Sequence, residues 1–331
     1  MELIQLGQKD KKILIELDKN ARSTDSEIAK KSGLSKQVAN YRIQKLLENK
    51  IITNFYTIIN VGKLGLNSYY VFIQLEKINK KQEEVLLEKL NSMHYIGWLV
   101  SGTGRWDIVL LLYADSISNF DKLLTETISI CGEHLHEYTF TTLITAEHIS
   151  YKFLSKNSER HSVKQTEKRN IMMLKESDAL ILEYLSHDAR ASVLDISRKT
   201  KIPAHVVKYH IKNLVKNKII EGFKPKINVS ILGYQWHLLL IQFQKTTEER
   251  KKQFTNFCKQ NQRIYYVTNT IGTYNLMLDI HVKTTEEFKE VLLELKEKFS
   301  DIIKLYESII FFNEYKISYF PKELITKDLN K

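Results

Sequence analysis

Hydrophobic positions in residues 6–59 follow helical spacing in three successive segments and then alternate. Ile13, Leu14 and Leu17 lie on one face of a first predicted helix. Thr24 and Glu27 form a capping box that opens a second helix, and Gly33 ends it. Ser35 caps a third helix, whose apolar face consists of Ala39, Ile43, Leu46 and Leu47. The loose alternation of residues 51–59 predicts a small hairpin, so the segment is predicted to be a winged helix-turn-helix.

The pattern of residues 69–144 changes to strands separated by two helices. Its order is strand, helix, strand, strand, helix, strand, which predicts a ferredoxin-like βαββαβ domain. The predicted segments are 69–75, 80–93, 96–100, 107–113, 116–131 and 138–144.

The whole pattern occurs twice, at an offset of 168 residues without a gap. Identical pairs include Asp10 and Asp178, Arg22 and Arg190, and Tyr41 and Tyr209. The prediction is therefore an α+β chain with two winged helix-turn-helix domains alternating with two ferredoxin-like domains. The polar residues 152–173 carry little pattern and are predicted to be a linker. The predicted domains are 1–62, 63–151, 174–230 and 231–322, separated by the linker 152–173.

The net charge of +11 is unevenly distributed. Residues 1–60 carry +4 and residues 174–228 carry +5, whereas residues 61–151 carry −4. Basic charge concentrated in the helix-turn-helix segments favours a polyanion partner, either DNA or RNA. Together with the helix-turn-helix pattern, it makes double-stranded DNA the expected partner. Two distant cysteines, Cys131 and Cys258, give neither a disulfide framework nor a zinc signature. No apolar run is long enough to span a bilayer, and a cytoplasmic protein without a membrane partner is expected.

The third helix of each copy presents polar side chains opposite its apolar stripe. Amides suit adenine edges, and lysines suit guanine or phosphate. The predicted DNA-binding residues are Lys36, Gln37, Asn40, Tyr41, Arg42, Gln44 and Lys45 in the first copy, and His205, Lys208, Tyr209 and Lys212 in the second. A solvated polar face is the plain alternative, but its recurrence in two complete modules favours DNA contact.

The turn from Gly102 to Asp107 resembles a phosphate loop only superficially. It joins two strands, whereas a nucleotide loop joins a strand to a helix N-terminus. Glycine here supplies a tight connection, and Asp107 either caps the turn or takes part in binding.

Taken together, these motifs resemble the Lrp/AsnC family of transcriptional regulators over nearly the whole chain. The matching residues include Asn20-Ala21-Arg22, Arg42-Ile43, Leu64-Gly65 and the sensing-domain pattern Thr103-Gly104-x-x-Asp107. The resemblance implies ferredoxin-like domains of the RAM/AsnC type, which self-associate through their sheets. It also implies an amino-acid effector near Thr103, Gly104 and Asp107, and near Gly272 and Asn275 in the second copy.

Several positions depart from the family pattern. The glycine expected before the paired isoleucines is Lys50 in one copy and Lys218 in the other. The second copy has Pro203 at the capping position, His210 in place of Arg42, and Asn275 in place of Asp107. An asparagine lacks the charge to anchor an effector ammonium, so the second copy is expected to have lost or changed its ligand.

The main alternative is an enzyme, because siroheme decarboxylases also resemble Lrp/AsnC proteins. Their His-Asn-Tyr-x-Arg signature is absent: residues 267–271 read Val-Thr-Asn-Thr-Ile and residues 99–103 read Leu-Val-Ser-Gly-Thr. A structural DNA-packaging protein is a further alternative. No hydrolase or metalloprotease motif occurs, and His134-x-His136 is interpreted as a solvated pair. A regulator that is not an enzyme and needs neither cofactor nor metal is therefore predicted.

Overall fold

The computed structural model describes residues 3–154, 162–166 and 171–326. Its first repeat begins with three helices and a strand, followed by the βαββαβ arrangement. These elements are α1 (Gln8–Lys19), α2 (Asp25–Ser32), α3 (Lys36–Glu48), β1 (Ile52–Ile59), β2 (Asn67–Leu75), α4 (Lys80–Ser92), β3 (Ile96–Gly104), β4 (Ile108–Ala114), α5 (Ile117–Cys131) and β5 (Leu135–Ile149).

A short strand follows, and then the second repeat has the same order and closes with one additional helix. The elements are β6 (Ser162–Thr166), α6 (Glu176–His187), α7 (Val193–Thr200), α8 (Ala204–Lys216), β7 (Ile220–Ile227), β8 (Gln235–Phe243), α9 (Glu248–Gln260), β9 (Ile264–Gly272), β10 (Leu276–Val282), α10 (Thr285–Phe299), β11 (Ile303–Ile317) and α11 (Lys322–Thr326). The predicted fold class is confirmed.

Local capping signals act as the sequence predicts. The Thr24 hydroxyl accepts from the Glu27 backbone N–H, and the Glu27 carboxylate accepts from the Thr24 N–H at 2.7 Å. Gly33 ends α2 at a φ of 68°, and Ser35 caps α3 through the N–H of Val38. These short-range bonds satisfy backbone groups that a helix end leaves free, and they fix where each helix begins.

The two ferredoxin-like domains join into one closed barrel. Hydrogen-bonded neighbours follow the order β2-β4-β3-β11-β8-β10-β9-β5, and β5 pairs again with β2. The contacts that join the two repeats are β3 with β11 and β5 with β9, both antiparallel. A single chain thus forms the eight-stranded assembly that a symmetric pair of such domains would form.

The last strand of each domain is longer than predicted. The alternation predicted residues 138–144 for the last strand of the first copy, whereas β5 covers Leu135–Ile149 and its counterpart β11 covers Ile303–Ile317. Each strand pairs within its own domain and also with the opposite repeat. The additional residues at the ends of β5 and β11 are stabilised by pairing with a strand that is distant in sequence. The local hydrophobic pattern therefore does not reveal them.

The predicted wing hairpin is wrong. Each repeat supplies a single strand, and β1 pairs antiparallel with β7 of the other repeat, with Phe55 opposite Pro225 and Thr57 opposite Phe223. Hydrophobic side chains of both helix-turn-helix modules enter one shared core, in which Leu14 and Leu17 lie with Leu182 and Leu185. The two modules are therefore one structural body.

The linker also differs from the prediction. Residues 162–166 form β6, which pairs with the end of β5 from Thr145 to Ile149. Val163 is buried against Tyr56 and Ile58, and it lies so close to Gly222 that a β-carbon there would approach it to 2.9 Å. The predicted linker residues 155–161 and 167–170 lie outside the described residues.

No helix among residues 3–154, 162–166 and 171–326 has both the length and the apolar character needed to cross a bilayer.

Candidate nucleic-acid interface

Two arginines hold the helix-turn-helix modules together reciprocally. Arg22 Nη1 donates to the carbonyl oxygens of Ala189 and Ala191 at 2.6 and 2.9 Å. Arg190 Nη1 donates to those of Ala21 and Ser23 at 2.6 and 3.1 Å. Charge-assisted bonds to part-buried carbonyls are among the stronger hydrogen bonds in proteins. They give the two modules a fixed relative position.

A buried ion pair supports the same junction. Lys224 Nζ of β7 lies 2.9 Å from Asp18 Oδ1 of α1, and both side chains are almost fully buried. The pair joins the first module to a strand of the second. Removing either partner would leave an uncompensated buried charge, which is strongly destabilising.

The outward face of each third helix is exposed as predicted. Tyr41 and Tyr209 occupy equivalent positions and are 61% and 63% exposed. The other predicted DNA-binding residues that are exposed are Lys36, Gln37, Asn40, Gln44 and Lys45 on α3, and His205, Lys208 and Lys212 on α8. Both helices thus present a polar surface that contains an aromatic ring.

Some of these side chains have partners within the protein. Asn40 Nδ2 donates to Asp25 Oδ2 at 2.7 Å, and Lys45 Nζ donates to Glu48 at 2.7 Å. Both pairs are exposed, and exposed pairs contribute little free energy. Such partners can be exchanged for DNA at small cost.

Arg42 lies differently from the rest of the predicted set. Its Nη1 is 2.8 Å from Asp10 Oδ1, and the side chain is only partly exposed. In the second repeat His210 takes the same place, with Nδ1 2.6 Å from Asp178 Oδ1. The side chain at this position therefore holds the third helix against the first. The sequence pattern did not reveal this role, because the aspartate that recurs in both repeats was not identified as its partner.

The predicted effector residues lie at the turns that join β3 to β4 and β9 to β10. Asp107 Oδ2 accepts from the backbone N–H of Leu75 at 2.7 Å, and Asn275 Oδ1 accepts from that of Phe243 at 2.8 Å. An amide oxygen replaces a carboxylate oxygen in this bond, which explains how the second copy tolerates asparagine. The structure gives both residues a capping role.

The turns also meet the opposite repeat. Gly104 has a φ of 147°, and a side chain there would collide with the carbonyl oxygen of Ser308 in β11. Trp106 Nε1 donates to the hydroxyl of its counterpart Tyr274 at 2.8 Å. Thr103 and Gly272 are exposed beside these contacts. The structure thus places Thr103, Gly104 and Asp107 close to the junction between repeats.

Comparison with known proteins agrees with this architecture. A family model described as winged helix-turn-helix DNA-binding matches residues 6–53 and 174–221, the same segment of each repeat. The transcriptional regulator Ptr1 of Methanocaldococcus jannaschii is 33% identical over 123 residues, which cover 37% of this chain and 82% of that protein. The regulatory protein AsnC of Haemophilus influenzae is 30% identical over 124 residues, 38% of this chain and 82% of that protein.

The chain is therefore a DNA-binding transcriptional regulator of the helix-turn-helix class. It belongs to the Lrp/AsnC family, of which it carries two units in tandem.

One solved structure has the same two-unit organisation. The siroheme decarboxylase NirDL covers 98% of this chain and is itself covered completely, with a TM-score of 0.62 and 14% sequence identity. At that identity the likeness establishes a shared fold. It shows that the intrachain arrangement of two such units is not confined to this protein.

Proposed function

We propose that one chain acts as a built-in dimer that reads an operator made of two different half-sites, using α3 and α8. The observation that carries this proposal is the reciprocal bonding of Arg22 and Arg190, which locks both modules in one body. A symmetric dimer presents the same helix twice, so its operator is palindromic. In this chain α3 and α8, which differ in sequence, occupy the positions that two identical helices would occupy in a symmetric dimer.

The outward side chains of the two helices favour different bases. Lys36, Gln37, Asn40 and Gln44 correspond to Ala204, His205, Lys208 and Lys212, and only the tyrosines agree. Asparagine and glutamine pair with adenine edges, whereas lysine contacts guanine or phosphate. The operator should therefore contain one half-site richer in A·T pairs, contacted by α3, and a second half-site contacted mainly by the lysines of α8.

The experiment selects preferred DNA sequences for the wild type and for two double variants, Lys36→Ala/Asn40→Ala and Lys208→Ala/Lys212→Ala. Each variant should lose preference at one half-site and retain it at the other. Glu83→Ala/Glu84→Ala on α4 is the control, away from both helices. Light scattering of the complex should give one chain per site.

Binding should also weaken steeply with salt. Each phosphate contact contributes a slope of roughly −0.9 in log K against log salt, so the lysine variants should show a shallower slope than the control. A compact palindromic site, or unchanged preferences in both double variants, would contradict the proposal.

An amino-acid effector is proposed near Thr103, Gly104 and Asp107. The support is family membership and the position of this turn at the junction of the repeats, where a ligand could alter how the two units pack. Because Asp107 already caps the N–H of Leu75 with one oxygen, the other carboxylate oxygen is the proposed anchor for an effector ammonium.

We further propose that the chain has no decarboxylase activity. The signature residues are missing at 267–271 and 99–103. An absorption spectrum of the purified protein after incubation with siroheme tests this, since a bound tetrapyrrole band would revive the enzyme alternative.

A further inference from the structure

The barrel contains a cavity of about 60 Å³ whose lining includes no residue of α3, of α8 or of the Gly104 turn. Its wall includes the rings of Trp98, Trp236 and Tyr70 and the carboxylate of Asp279. Trp98 and Trp236 lie with ring centroids 6.0 Å apart, and Tyr70 lies edge-on to Trp98 at the same distance. An aromatic chamber that contains a carboxylate without an ion-pair partner has a definite chemical preference.

Asp279 is the unusual member of this wall. It is 4% exposed, and its Oδ1 accepts a hydrogen bond from Trp236 Nε1 at 2.7 Å. Within the part of the chain that the structure describes, no lysine, arginine or histidine forms an ion pair with it. Burial, with a contribution from Glu314, raises the pKa of Asp279 to about 7. Its carboxylate is therefore charged for much of the time without a countercharge.

The other carboxylate in the wall, that of Glu314, already has a countercharge. Glu314 Oε2 lies 2.6 Å from Lys226 Nζ, and its Oε1 accepts from Trp98 Nε1 at 2.7 Å. The ring centroid of His148 lies 4.1 Å from that of Tyr266, with the two rings tilted against each other. Burial lowers the pKa of His148, so it remains neutral and does not repel a cation. The uncompensated charge in the cavity is thus negative and located at Asp279.

Aromatic faces and a carboxylate together attract a cation. Ring quadrupoles stabilise ammonium groups, most strongly where water is excluded, and a carboxylate adds charge-assisted hydrogen bonds. Anions would meet the charge of Asp279, and an apolar guest would leave it unpaired. Since a water molecule has a share of about 30 Å³ and a benzene-sized guest needs about 150 Å³, the cavity has room for ammonium or methylammonium.

A cavity of this kind is easier to form in a chain with two unlike repeats than in a symmetric dimer of identical repeats. The counterpart of Asp279 is Leu111, and the counterpart of Trp236 is Ser68. A symmetric dimer would place every inner residue in the barrel twice, including two facing carboxylates that repel each other. In the fused chain the counterpart of Asp279 is an apolar residue, so this repulsion does not arise.

We propose that the barrel cavity binds one small ammonium cation, ammonium or methylammonium, with Asp279 as its counter-ion. This site goes beyond the proposed DNA reading, and its occupancy does not depend on DNA. A bound cation would contact strands of both ferredoxin-like domains, because Trp98 belongs to β3 and Asp279 to β10.

The test is thermal unfolding and titration calorimetry of the full chain at pH 8 and constant ionic strength. Ammonium and methylammonium chloride are compared with sodium, potassium and tetramethylammonium chloride, in a buffer that contains no amine. Ammonium or methylammonium should raise Tm saturably by about 3 °C or more, since a ligand of the folded state stabilises it by mass action. Quenching or a shift of tryptophan fluorescence should accompany the same titration.

Asp279→Asn should abolish the rise in Tm and the calorimetric signal. Asp121→Asn, which changes an exposed carboxylate on α5, is the matched control and should retain both. A Tm rise that is equal for sodium and ammonium, one that persists in Asp279→Asn, or no saturable response at all would each overturn the proposal. None of these readouts involves DNA, so failure here leaves the proposed operator reading untouched, and the reverse also holds.

Discussion

Arg22 and Arg190 lie 168 positions apart, and each places its guanidinium on the backbone of the other's helix-turn-helix module. Each also lies over an aromatic ring of the opposite strand, Arg22 over Phe223 at 5.5 Å and Arg190 over Phe55 at 5.4 Å. The two contacts are related by the internal repeat, as they would be by the twofold axis of a dimer. Together with the shared core and the β1–β7 pairing, they hold α3 and α8 at a fixed distance.

Replacing Arg22 with alanine should lower the free energy of unfolding by about 2–3 kcal/mol, because charge-assisted bonds to part-buried carbonyls contribute about 1.5–3 kcal/mol. Arg190→Ala should cost at least as much, since Arg190 also pairs with Asp25 at 2.8 Å. Urea unfolding measures both. Arg198→Ala, which removes an exposed ion pair on α7, is the control. Losses below about 0.5 kcal/mol for both arginines would show that the modules do not depend on this contact.

Lys50→Gly and Lys218→Gly should each stabilise the protein by about 0.5–1 kcal/mol. Both lysines have left-handed backbones, with φ of 55° and 58°, and a β-carbon there costs roughly 1–2 kcal/mol, partly offset by the greater chain entropy of glycine. Gly33→Ala is the reverse control, because Gly33 has a φ of 68° and open space around it. It should destabilise by a similar amount in the same thermal unfolding series. A destabilising effect of both lysine substitutions would contradict this account.

The stability contributed by Asp279 should fall as pH rises. Its folded pKa of about 7 lies above the usual 3.8, so the folded state holds a proton that the unfolded state has released. The contribution is complete below about pH 4 and is lost as pH rises through 7. In amine-free buffer, the unfolding free energy of the wild type relative to Asp279→Asn should drop by about 2–3 kcal/mol between pH 5 and pH 8.

The contribution of the buried histidines to the free energy of unfolding changes with pH in the direction opposite to that of Asp279. Burial lowers the pKa of His281 to about 3 and that of His237 to about 4, so both destabilise the fold as pH falls below their usual range. They are common to the wild type and Asp279→Asn, and they cancel in the difference. A difference that is flat with pH would mean that Asp279 is not buried as described.

Substitutions of Asp107 separate its capping role from an effector role. Asp107→Asn should leave Tm almost unchanged, because Asn275 makes the same bond in the second repeat. Asp107→Ala should cost about 1–2 kcal/mol, because the N–H of Leu75 loses its partner. If an amino acid raises Tm of the wild type, Asp107→Asn should abolish that rise, with Asn275→Ala as the comparison in the other repeat. A full amino-acid panel without a shift would leave only the capping role.

The sequence by itself determined the elements and their repetition. Capping residues such as Thr24 and Ser35, and apolar stripes such as that of Ile43 and Leu46, act within one or two turns, so their signal is local. Because the two copies align without a gap, each helix or strand predicted in one copy also predicted its counterpart in the other. The third helix of each helix-turn-helix module and the βαββαβ order followed from these signals.

Only the tertiary structure decided which edges pair. The alternation of residues 51–59 marks a strand and its faces, but it does not name a partner, and the partner proved to be β7 of the other repeat. The same reason explains the long ends of β5 and β11, and β6 within the predicted linker. Strand pairing is a non-local choice that depends on which exposed edges meet once the cores have formed. The cavity beside Asp279 follows from that choice, because its wall exists only where strands of both repeats close into one barrel.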